Sequence, residues 1–153
     1  MQTPQRSTRF SRSVMFVLGL VILPTALSCS SSEGLNSYTK AVGAADEGST
    51  IQTIRTIASA QGQYRAAHGE YGTFSALNKA GMLDVRFAAD SPTLKGYRFT
   101  MNPGANSFTI NADPEATESQ PAIGSRHFFM DSNDGVIRAN SKQAAGPSDP
   151  PQQ

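Results

Sequence analysis

Little in this sequence can cross-link the chain or carry it through a membrane. Among its 153 residues there is one cysteine, Cys29, so no internal disulfide can form. No acidic residue precedes Cys29; all 12 follow it. The apolar run from Val14 to Leu23 is ten residues long. As a helix it spans roughly 15 Å, half the thickness of a bilayer core. The nucleophile elbow Gly-x-Ser-x-Gly is missing, and so are the dinucleotide and phosphate-loop glycine patterns. A basic excess is missing as well once the first 28 residues are set aside. Arg6, Arg9 and Arg12 fall there, leaving 10 basic and 12 acidic residues and a net charge of −2. Such a chain has no charge drive toward nucleic acid.

What the N-terminus does contain has a recognisable order. Three arginines lie in a polar stretch, the short apolar run follows, and Pro24 interrupts it. A basic region, a short apolar region and small residues after it form the secretory pattern, so residues 1–28 read as a signal peptide. Thr25-Ala26-Leu27-Ser28-Cys29 resembles the lipobox of bacterial prolipoproteins in its relaxed form. That resemblance implies cleavage between Ser28 and Cys29, diacylglycerol on Cys29, and a mature chain that starts there. Several acyl chains hold a protein firmly to a membrane, at about 0.8 kcal/mol per buried CH₂. Two other readings stay open: an ordinary signal-peptidase cut beside Ala26 or Ser28, and an uncleaved anchor.

The rest of the chain has the length of one small domain. Residues 29–48 are rich in Ser, Gly and Ala and read as the lipidated cysteine followed by a flexible tether. Residues 141–153, with three prolines and no large apolar side chain, read as a disordered tail. Residues 49–140 remain as the globular part. Ser49 with Gln52 fits a capping box. Ile51, Ile54, Ile57, Ala58, Gln61 and Tyr64 recur at helical spacing up to His68, where Gly69 supplies a stop. A short helix is expected from Phe74 to Ala80. The period then becomes two: Tyr97, Phe99 and Met101 alternate with polar residues, as do Phe108, Ile110 and Ala112. Asn102 to Asn106 supplies turn chemistry between them. His127 to Met130 and Val136 to Ala139 complete the set. The expectation is an α+β domain: one long helix on a small antiparallel sheet of three to four strands.

These elements resemble, in order and in local sequence, the globular head of type IV pilins and of type II secretion pseudopilins. Thr53 to Gln61 followed by Tyr64 looks like the second half of a pilin helix. Glu70 to Leu77 with Gly81-Met82-Leu83 is similar to the family's tyrosine-bearing loop and short helix. Gly96 to Thr100 resembles its first strand. Arg126 to Asp131 with Asp134 to Arg138 resembles a closing hairpin. The resemblance implies a pilin-like head. It does not extend to the polymerisation stalk, since no Gly-Phe junction for prepilin peptidase occurs and no acid interrupts the apolar run.

Chemistry is sparse. His68 sits at a helix end, where a cation complements the helix dipole, and His127 lies in a strand; neither has zinc-motif spacing to a partner. Asp131, Asn133 and Asp134 are the weak candidates for calcium. The EF-hand pattern would place glycine one residue after Gly135 and end in a bidentate Glu, so the segment reads more simply as a hairpin turn. Tyr64, Tyr71 and Tyr97 could form an exposed aromatic surface or core. The expected function is an exported, lipid-anchored, non-catalytic interaction module. It needs no cofactor, attaches to the membrane through Cys29, and faces the periplasm or exterior. A protein partner in the cell envelope would dock on the head, with edge-strand pairing as one route. The alternatives are a divergent secretion pseudopilin and a small calcium- or ligand-binding protein.

Overall fold

The computed structural model of the chain describes residues 32–115 and 126–152. Residues 1–28, read above as a signal peptide, and Cys29 lie outside the described residues. Helix α1, Ser32–His68, comes first and is 37 residues long. After it come α2, Phe74–Lys79, and a single 3₁₀ turn at Val85–Phe87. Five strands follow: β1 Thr93–Leu94, β2 Tyr97–Pro103, β3 Phe108–Pro114, β4 His127–Asp131 and β5 Ile137–Asn140. They lie side by side in chain order, each antiparallel to the next. The domain is therefore α+β, with a five-stranded meander instead of the three or four strands expected.

The helix packs where its apolar period said it would. Ile54 and Ile57 are fully buried and Ile51 nearly so; Ala60, outside the expected stripe, is buried too, while Ala58 and Tyr64 are only half-buried, and the four buried residues join one core with Phe99, Ile110 and Phe128. Full burial of a side chain of this size is worth about 1.5–3 kcal/mol. The sheet supplies its share by strict alternation: Tyr97 and Phe99 on β2, Phe108, Ile110 and Ala112 on β3, Phe128 and Met130 on β4. Thr73 caps α2 by accepting from the Ala76 N–H, and Phe74 and Leu77 enter the core. Asp84 caps the 3₁₀ turn and delivers Phe87 against Phe74, ring centres 5.8 Å apart.

Beyond shifts of one residue at the ends of α2, β4 and β5, three features differ from the sequence reading, each for a stateable reason. Ser49 is no N-cap, because it lies well inside a helix that spans Ser32–His68; its carbonyl also accepts from Thr53 Oγ1 at 2.9 Å. Residues 32–48 are accordingly helix and not flexible tether. Alanine, counted there as a loop residue, is the best helix former, and Glu47 is anchored by a residue far away in sequence. The extra strand, β1, is only two residues long and has no period to detect. It joins β2 through a tight turn at Lys95 and Gly96, with φ of 52° and 73°. That pair of positive values suits the right-handed twist of a two-residue hairpin.

The third difference concerns the C-terminus. Residues 141–152 are not a disordered tail; they fold back along β5. Ala139 N donates to Pro150 O at 3.1 Å and Gln152 N to Ile137 O at 2.8 Å, around the bridge pairing Arg138 with Pro151. Ala145 is only 5% exposed. Composition misleads here because the segment is fixed by polar bonds to other elements and not by its own apolar residues. Among the described residues no helix is long and apolar enough to cross a membrane.

Candidate functional site

The residues singled out for chemistry do not converge. The weak calcium candidates, Asp131, Asn133 and Asp134, form the β4–β5 turn. Asp131 Oδ1 accepts from Asn133 N at 2.8 Å, and Gly135 N donates to Asp131 O at 2.9 Å. Asp134 Oδ1 accepts from Val136 N at 3.0 Å while its other oxygen holds Arg138. The Val136 amide and then the Arg138 guanidinium hold the Asp134 carboxyl below the usual carboxylate range. These oxygens are spent on the turn, with a cation already beside them. Among the described residues no group of three His, Cys, Asp or Glu side chains could hold a metal.

The histidines are equally local. His68 stacks on Tyr64, one helical turn earlier, with ring centres 4.2 Å apart. His127 Nδ1 lies 2.6 Å from Asp113 Oδ1, across the β3–β4 boundary. The tyrosines divide. Tyr97 is fully buried and donates to the Arg126 carbonyl at 3.1 Å. Burial, and secondarily the Glu47 charge, pushes its phenol well above the ordinary value. Tyr64 and Tyr71 are half-buried against the core. Arg65 covers the Tyr71 ring at 4.7 Å and donates to its hydroxyl at 2.7 Å. No exposed aromatic platform results; Tyr38 on α1, 69% exposed, stands elsewhere.

What the fold does gather is a set of polar clasps between α1 and the sheet. Arg126 Nε donates to Glu47 Oε2 at 2.8 Å, and the Arg126 backbone N–H donates to Glu47 Oε1 at 3.2 Å. This ion pair ties the entry of β4 to the middle of α1. Gln61, the one polar member of the helix stripe, spans to Gly72 with both ends of its amide. On the far side of β2, Glu115 holds Thr93 Oγ1 and Arg98, closing the short β1 edge.

Two shallow grooves flank α1. One, of about 350 Å³, runs between Gln52, Thr53 and Thr56 of the helix and Met82, Leu83 and Phe87. The other, about 240 Å³, lies between Arg55 and Ala58 of the helix, Met130, Val136 and Ile137, and ends at Gln152 of the C-terminal segment. Both are small and mixed in character, unlike the enclosed apolar pockets that hold small molecules.

The edge strands are the more informative surface. At one side β1 offers two residues. At the other, β5 is covered by residues 150–152. The clasp is polar: Asn140 Nδ2 donates to Asp149 Oδ1 at 2.8 Å, Arg138 to the Asp149 carbonyl at 3.1 Å, and Gly146 N to Asp149 Oδ2 at 2.7 Å. Asn111 reaches over from β3 to the Ala145 carbonyl at 3.2 Å. Asn111 pairs in register with Phe129, and Phe129 with Arg138, on the face opposite Phe128 and Met130. Phe129 is nonetheless 7% exposed. One sequence signal did mark this: Phe128-Phe129-Met130 breaks the alternation of a half-buried strand, so the outer face needed a cover.

Comparison with protein-family models, with curated proteins and with solved structures returns no match.

Proposed function

We propose that the chain is an exported, lipid-anchored interaction module with a pilin-like head and no catalytic role, held in the cell envelope through Cys29. The observation that carries this reading is the form of α1. It starts at Ser32, with only Ser30 and Ser31 between it and Cys29. Among the α1 residues whose burial is described, the buried side chains are Glu47, Thr50, Ile51, Ile54, Ile57, Ala60 and Gln61. The half before them includes exposed Tyr38, Ala41, Ala44 and Ala45. A helix of 37 residues is roughly 55 Å long, at about 1.5 Å per residue. Its first part is therefore a stiff spacer between a lipid on Cys29 and the head. The element order, long helix, short helix and antiparallel meander, is also the order on which the pilin resemblance rests.

The same helix supports a second reading, a divergent secretion pseudopilin. With residues 32–48 helical, no flexible stretch of that length stands between the apolar run and the head. Intact mass of the membrane-fraction protein separates the two. A chain that starts at Cys29 with added acyl mass is the expected result. A chain that keeps Val14 to Leu23 after a cut upstream would favour the pseudopilin. A soluble chain of unmodified mass would overturn the anchor.

A further inference from the structure

We infer that the β5 edge is a strand-accepting site, filled here by the chain's own residues 145–152, and that its occupant in trans is the same segment of a second copy. The inference builds on the docking half of the proposed function and is independent of whether Cys29 is lipidated.

Four features define the site. The first is an outward ladder: Ile137 O and Ala139 N of β5 are not used by β4 and are the groups that bond Gln152 N and Pro150 O. The second is a side-chain clasp, Asn140 and Arg138, that receives Asp149. Third comes the outer face around Phe129 and Asn111, where Ala145 is buried and its carbonyl bonded. The last is the groove of about 240 Å³ beside Gln152, bordered by Arg55, Ala58 and Val136, which continues the site along α1. Backbone bonds with a few side-chain pockets are how strand addition obtains both affinity and selectivity.

The occupant follows from what the site fits. It fits a small residue, a glycine turn, an aspartate two residues before Pro151, and an extended Pro-Pro pair. This chain supplies that order in Ala145-Gly146-Pro147-Ser148-Asp149-Pro150-Pro151. The segment has no apolar side chain larger than proline and makes its bonds through polar groups, so beyond Ala145 its release uncovers little apolar surface. Ten residues separate the end of β5 from Pro151, enough chain to reach a neighbour instead of turning back. A proline at the rim also disfavours growth beyond one added strand. Pro151, the residue of the added strand that faces away from β5, has no N–H to donate to a further strand.

The cis segment competes at a high effective concentration, so the wild-type chain should take up little free peptide. The test uses a labelled synthetic peptide matching residues 144–153 and the full chain purified in detergent, as wild type, as Asp149→Ala, and as a chain stopped after Gln143. The stopped chain is expected to bind the peptide at least tenfold tighter than wild type, and tighter than it binds a scrambled peptide. If it melts cooperatively yet binds neither better than wild type, the site does not exist. Should the stopped chain fail to fold, Asp149→Ala decides: tighter peptide binding than wild type supports the site, and unchanged binding overturns it. Light scattering then reads the donor. A fourth chain lacking Lys142 to Ala144, whose connector is too short to turn back onto its own β5, is expected to form dimers as concentration rises, and the free peptide to dissolve them. A chain that accepts peptide but stays monomeric at every concentration overturns the second copy as donor. None of these outcomes bears on the mass at Cys29, so failure here and failure of the anchor are told apart.

Discussion

Gln61 and Gly72 are joined by both ends of one side-chain amide. Gln61 Nε2 donates to Gly72 O at 2.6 Å, and Gly72 N donates to Gln61 Oε1 at 3.0 Å. Both residues are buried. The glutamine thus plays the part of a neighbouring strand for one residue of the α1–α2 loop. Gln61→Leu keeps the volume and the apolar stripe but leaves a buried N–H and C=O without their partner. The expected loss is about 2–4 kcal/mol, read as a lower denaturant midpoint at unchanged slope. Gln61→Glu should not rescue it, because a carboxylate cannot donate to Gly72 O.

Gly72 itself has no room to grow. A β-carbon there would lie 2.9 Å from Tyr64 Cε1. Gly72→Ala should therefore push the Tyr64 ring outward and disturb its stack on His68. We expect a loss of about 1–3 kcal/mol. Gly72→Ala combined with Tyr64→Ala should lose less than the two single costs added together, and a double-mutant cycle measures the difference.

Tyr97 makes stability depend on alkaline pH. Burial holds its phenol neutral in the folded state, so its folded pKa exceeds the unfolded one. A group raised in this way contributes fully below its unfolded pKa. That contribution falls as pH rises past about 10. Urea midpoints should fall more steeply above that pH in the wild-type protein than in Tyr97→Phe. At neutral pH the substitution removes the bond to the Arg126 carbonyl, at a cost of about 1 kcal/mol. Equal alkaline slopes in the two proteins would show that burial of this phenol is not the cause.

Glu47 ties α1 to the sheet across 79 positions of sequence. Its side chain is 11% exposed, against 36% for Arg126. Glu47→Ala removes the acceptor for both the guanidinium and the Arg126 amide, and should cost about 2 kcal/mol. The loss should be local: hydrogen exchange is expected to quicken in the first half of α1 and at the start of β4 before it quickens around Ile54 and Ile57.

The Asp131–Gly135 turn should ignore calcium. Its carboxylates accept backbone amides, and Asp134 also holds Arg138. A millimolar calcium titration is expected to leave the melting temperature unchanged, whereas a ligand that binds the folded state must raise it. A saturable rise, lost in Asp134→Asn, would give the turn to the metal.

The sequence by itself determined the elements whose cause is local. The stripe from Ile51 to Tyr64 and the alternation in Tyr97–Met101 and Phe108–Ala112 each announce which face is buried, because period alone decides which side chains share a side. Gly69 and the Asp131–Gly135 segment announced their turns. It also determined the case for Cys29, which rests on residues 1–29 and owes nothing to the head. Tertiary structure decided the rest. Only the fold makes Gln61 a structural bridge, since its partner Gly72 lies in a loop with no pattern of its own. Only the fold brings Arg126 to Glu47 and fixes α1 there, in a stretch whose Gly and Ser content read as tether. The β1 strand exists only as the partner of β2. Residues 145–152 lie along β5 because Arg138, Asn140 and Asn111 present bonding groups there, while nothing in their own composition calls for order. Local patterns are written in the chain; bonds between distant polar groups arise only when the fold brings the two ends together.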